Sequence, residues 1–171
     1  MSNRFFDYAA PRDDLPDYLY RVYHRGSFNQ YSYDSGFRDG IHSGKPTFRM
    51  KTDEQALEAL EDHLDVGNRS RPTPFVSVYE ERGQAIRLIE RLQGQGKRDI
   101  RVAIVYMDRV KANVRWAILD VWRAAEYLEI ELSPGAIAMT NSEHLFLRLI
   151  PFEAIGADLS ARRFIECSRY Q

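Results

Sequence analysis

The chain has 171 residues, with 24 Lys and Arg against 25 Asp and Glu, for a formal net charge of -1. That balance argues against a general nucleic-acid binder or a charge-driven membrane-surface protein, and the length suits one domain that buries about two-thirds of its unfolded surface. A single cysteine, Cys167, rules out a disulfide within the chain, and the four scattered histidines lack ligand spacing, so no metal is expected.

Residues 1–17 read as a polar lead-in, in which Pro11 and Pro16 block regular structure, and residues 18–171 read as a single domain. No apolar signal core is visible, and no stretch approaches the roughly 20 apolar residues of a membrane span. The expectation is a soluble protein, cytoplasmic as expressed, with secretion as an effector left open, and with neither nucleic acid nor membrane as partner.

Tyr18–Tyr23 is aromatic and β-branched, hence a strand, and alternation sets Leu19, Arg21 and Tyr23 on one face. An arginine flanked in this way is costly unless its guanidinium reaches an anion or a cleft. From Gly26 to Pro46, glycines alternate with Phe28, Tyr31, Tyr33 and Phe37, which pin a loop to the body or form a flap over a ligand. Thr52-Asp53-Glu54-Gln55 is a capping box opening a helix with Ala56, Leu57, Leu60 and Leu64 inside, closed by Gly67-Asn68.

Phe75–Tyr79 is a second strand, followed by a helix from about Glu80 to Gln93 with Ala85, Ile86, Ile89 and Leu92 as its inner stripe. Ile100–Met107 reads as the central strand. Trp116–Leu128 reads as a helix, with Trp116, Leu119, Trp122 and Leu128 as core contacts, and Ala136–Met139 as a short strand. Leu145, Phe146, Leu147, Leu149 and Ile150 form a buried strand that Pro151 ends, with Glu143 at its first residue, placed to face a cleft. Ile155–Ala157 and a polar tail from Asp158 complete the chain.

Three segments carry a resemblance: Leu19-Tyr20-Arg21 with Arg25 four positions on, Phe75-Val76-Ser77, and Glu143 eight residues before Pro151 of Ile150-Pro151, with Ile155 four further on. Their order and spacing resemble the Arg-Ser-Glu, cholera-toxin-like branch of the ADP-ribosyltransferase superfamily. The chain also looks similar to an uncharacterised domain recurring in fungal proteins. The first resemblance implies an α+β fold, two small bent sheets around an NAD cleft with flanking helices.

It further implies a mono-ADP-ribosyltransferase or NAD glycohydrolase, with NAD as substrate, a protein as acceptor of ADP-ribose, and no metal. Cleaving the nicotinamide–ribose bond builds positive charge on the sugar, as in glycoside hydrolysis, and a fixed carboxylate stabilises it. The resemblance gives that role to Glu143. It gives NAD binding to Arg21, Arg25 and Ser77: Arg21 forks the diphosphate, and Ser77 holds the Glu143 rotamer.

Two departures bear on activity. Ser77-Val78-Tyr79 stands where the family has Ser-Thr-Ser, and Asn141, on the acceptor side, stands where the family has Glu or Gln. Asn141 forms hydrogen bonds but is no base, so transfer to arginine is not expected. The alternative is a non-catalytic binding module on the same fold, an effector or regulatory protein.

Overall fold

The computed structural model describes residues 4–11, 15–39, 52–65, 72–110 and 118–167. Its elements, in order, are α1 (Arg4–Ala9), β1 (Tyr18–Tyr23), β2 (Tyr31–Ser32), β3 (Gly36–Arg38), α2 (Asp53–Leu64), β4 (Phe75–Tyr79), α3 (Arg82–Gly94) and β5 (Arg101–Tyr106). They continue with β6 (Ile118–Asp120), α4 (Val121–Tyr127), α5 (Pro134–Thr140), β7 (Glu143–Leu147), β8 (Leu149–Ile150), β9 (Ile155–Ser160) and α6 (Ala161–Glu166). The protein is α+β, with two antiparallel sheets: a six-stranded one ordered β6-β7-β4-β1-β5-β9 and a three-stranded one ordered β2-β3-β8.

The pleat sorts the large sheet's side chains into two layers. Leu19, Tyr23, Val76, Val78 and Phe146 face the small sheet, packing with Phe37 and Ile150. On the other face the helices divide. Tyr20, Val22, Tyr79, Val102 and Ile104 pack under α3 and α6, whereas Phe75, Leu119 and Leu145 pack with α1, α2 and α4. The division follows the middle of the sheet, where β1 and β4 meet at the single pair Tyr20↔Tyr79. Beyond that pair the two strands separate.

One left-handed residue moves the chain between sheets. β7 ends at Leu147, Arg148 takes φ 74, and β8 then pairs with β3 in the small sheet. The apolar run from Leu145 to Ile150 is therefore two short strands in two sheets.

Several local expectations need correction. The lead-in holds a helix, α1, whose Phe5 and Ala9 are fully buried. Residues 118–120 are strand, and the helix starts only at Val121, where Asp120 accepts from the Arg123 amide. Strand alternation thus buries Leu119, and Trp122 is 44% exposed rather than core. Trp116 lies outside the described residues, as do Gly67-Asn68 and the Gly40–Pro46 part of the proposed flap.

Residues 136–139 belong to helix α5, because Ser133 caps it and Pro134 occupies its first turn. β5 is the fifth of six strands rather than central, although both its faces are covered. The stretch from Asp158 completes β9 and enters α6, whose Phe164 is buried, so it is no tail.

Candidate active site

A cleft of about 500 Å³ opens where the helices part over the middle of the large sheet. Arg21 of β1, Ser77 of β4 and Glu143 of β7 all line it, joined by His63 of α2, Thr73 and Asn29. Glu143 is 7% exposed and sits opposite Tyr79 in the β4–β7 ladder, on the same pleat face as Ser77. The three residues singled out from the sequence therefore surround one cavity.

Arg21 bridges the separated strands. Its Nη1 donates to the Ser77 carbonyl at 3.0 Å and its Nη2 to Asn29 Oδ1 at 3.2 Å. Its guanidinium also lies 5.9 Å from the centre of the Phe37 ring. Asn29 is fixed in turn by donating to the Arg38 carbonyl at 2.9 Å. Burial lowers the Arg21 pKa to about 10, against the opposing pull of Tyr79, Glu143 and Tyr23. The group stays cationic in neutral solution, so the cleft wall carries a desolvated positive charge near Glu143.

His63 supplies the link that the sequence reading missed. Its Nε2 stands 2.9 Å from Ser77 Oγ and 3.6 Å from Glu143 Oε1, and its Nδ1 stands 2.8 Å from Thr73 Oγ1. Ser77 is thus tied to His63, and the imidazole stands beside the carboxylate. Both tautomers satisfy the contacts: protonated Nδ1 donates to Thr73 while Ser77 donates to Nε2, or the reverse. Histidine spacing offered no signal here. The helix stripe did: His63 follows Ala56, Ala59 and Leu60, all buried on α2, by helical steps.

Other residues named from the sequence lie outside this cluster. Arg25 is exposed in the turn after β1, where its carbonyl accepts from Gln30. Asn141 is exposed at the end of α5, two residues before Glu143. His144 points to the opposite pleat face from Glu143 and donates to Glu80 at 2.8 Å, whereas His24 lines the cleft. Phe28, 52% exposed, also lines the cleft, so the aromatic loop touches the cavity at one ring while Phe37 is buried beneath it.

The architecture is that of an α+β domain whose large sheet opens a polar cleft between two groups of helices. The chain belongs to the family described as "Domain of unknown function (DUF7587)", whose model matches residues 14–164. Among curated proteins no match was found. Among the described residues no helix is long and apolar enough to cross a membrane, and no group of three or more His, Cys, Asp or Glu is arranged to hold a metal ion.

Proposed function

We propose that the protein cleaves the nicotinamide–ribose bond of NAD, as an ADP-ribosyltransferase-like enzyme transferring ADP-ribose to a protein or to water. The observation that carries this reading is the convergence of Arg21, Ser77 and Glu143, from three strands, on one cleft. The fold supports it through its two antiparallel sheets and the parted middle strands.

In this reading Glu143 stabilises the positive charge that develops on the ribose. His63, held by Thr73, fixes the Ser77 hydroxyl and stands against Glu143, which keeps the carboxylate from turning away. Arg21 adds positive charge for the NAD diphosphate. Because both its terminal nitrogens already donate within the protein, it contributes charge and position rather than an open fork. Asn141 faces the acceptor side and favours an acceptor that needs no carboxylate base.

One specific observation favours the alternative, a non-catalytic binding module. The guanidinium is already committed to Ser77 and Asn29, which suits a structural brace. The two readings separate in one experiment, nicotinamide release from NAD by wild type and Glu143→Gln side by side. Release by the wild type, reduced roughly 10²–10³-fold in the variant, supports the enzyme. Absence of calorimetric NAD binding at millimolar concentration supports the module, whereas binding with nicotinamide release excludes it.

A further inference from the structure

Arg91 occupies the last turn of α3 and lines the cleft together with Gln95 and Lys97, on the wall shared with Ala136, Met139 and Thr140 of α5. Its Nη1 donates to the Met139 thioether at 3.3 Å, a weak acceptor. Its Nε and Nη2 are buried and meet no acceptor among the described residues. No carboxylate among the described residues pairs with it either.

Nε–H and Nη2–H form one edge of the guanidinium, the parallel pair that grips a carboxylate or phosphate with two bonds. Elsewhere in this protein that edge is used. Arg101 places Nε and Nη2 each 2.9 Å from Asp158 Oδ2, and Arg87 turns the same two nitrogens onto Gln84 Oε1 at 3.0 and 2.6 Å. Arg21 and Arg82 also have an unpartnered Nε, but their Nη2 groups donate to protein oxygens. Arg91 is the described arginine in which both nitrogens of that edge are buried and unpartnered.

We propose that Arg91 anchors an oxyanion subsite on the α3–α5 wall of the cleft, taking a phosphoryl or carboxylate group. Lys97, exposed nearby on the same cleft, adds a second positive charge. Met139 closes the other side of the guanidinium, its thioether resting against Nη1 and leaving the Nε–Nη2 edge unpartnered. The subsite is distinct from Arg21, whose terminal nitrogens are engaged, and it stands whether or not Glu143 cleaves NAD.

The test follows the arginine Nε–H and methionine methyl resonances of the full chain during titration with inorganic phosphate, with acetate, and with chloride at matched ionic strength. Phosphate or acetate is expected to shift the Arg91 and Met139 signals saturably while chloride does not, and the tighter of the two identifies the chemistry of the natural group. Arg91→Lys keeps the charge but loses the paired edge, and should weaken binding about tenfold or more. If that variant fails to fold, Met139→Leu assigns the methyl signal, and the wild-type titration decides. An equal response to chloride, no saturable response, or shifts confined to Arg21 would overturn the proposal.

Discussion

At the scale of single residues, His63 joins α2 to the cleft. One ring reaches Thr73, Ser77 and Glu143, so its loss leaves two hydroxyls and a nearly buried carboxylate without their neighbour. Unpaired buried polar groups cost about 1–3 kcal/mol each. His63→Ala is therefore expected to lower stability by about 2 kcal/mol and, under the proposed function, to reduce nicotinamide release, because Ser77 and Glu143 lose their shared restraint. Thr73→Val leaves the imidazole in place and should show a milder loss of both. Thermal unfolding together with nicotinamide release checks the order, and His63→Ala matching wild type in both would remove the residue from the site.

At the scale of elements, the β2–β3 hairpin shows how little room the small sheet has. Gly36 takes φ +73, and a Cβ there would meet the Ile150 carbonyl oxygen at 2.1 Å and the Phe152 amide nitrogen at 2.6 Å. Those are backbone atoms of the strand and turn that the hairpin packs on, and they cannot step aside. Gly36→Ala should cost at least about 2 kcal/mol. It should also loosen Phe37 and Asn29, and through them Arg21. Gly94→Ala, where a Cβ meets nothing within 4 Å, serves as the control and should leave the melting temperature nearly unchanged.

The elements also show which signals in the sequence were sufficient. β1, β4, α2 and α3 were legible because each has a single dominant period and clear ends. Ile118–Asp120 and α4 were not: two short elements with different periods abut at Asp120, and one helical frame laid over both put Trp122 inside. α5 was misread because its four apolar residues, Ala136–Met139, are consecutive and show no helical period, although Ser133-Pro134 marked a helix start. Arg21, Ser77 and Glu143, singled out from the sequence, line one cleft. His63 and Arg91 were not singled out, because their importance depends on which helices flank the cleft, and no spacing along the chain encodes that.

At the scale of the whole molecule, β1, β5 and β9 are tied by a polar row across one half of the large sheet. Tyr23 donates to Asp158 at 2.9 Å, and Arg101 holds the same carboxylate. Burial, then the Asp158 charge and its hydrogen bond, raises the Tyr23 pKa well above its ordinary value of 10.0. A raised acid keeps its proton longer in the folded chain, so its contribution is complete below pH 10 and declines as the pH rises past that value. Burial shifts Arg21 the other way, to about 10, which favours the folded chain as the pH rises from there toward the ordinary arginine value. Comparison with Tyr23→Phe isolates the tyrosine: the stability gap between wild type and variant should narrow above pH 10, as read by chemical denaturation from pH 8 to 11. A constant gap would mean that the hydroxyl adds no pH-linked stability.

The single pair Tyr20↔Tyr79 gives the large sheet a line of weakness along its middle, with three strands on either side. A ladder resists bending in proportion to its rungs, and here one rung is assisted by the Arg21 side chain reaching over to the Ser77 carbonyl. Arg21 is thus a cross-tie over that line, and the small sheet backs it from behind, where Leu19 and Tyr23 of one half and Val76, Val78 and Phe146 of the other pack with Phe37 and Ile150.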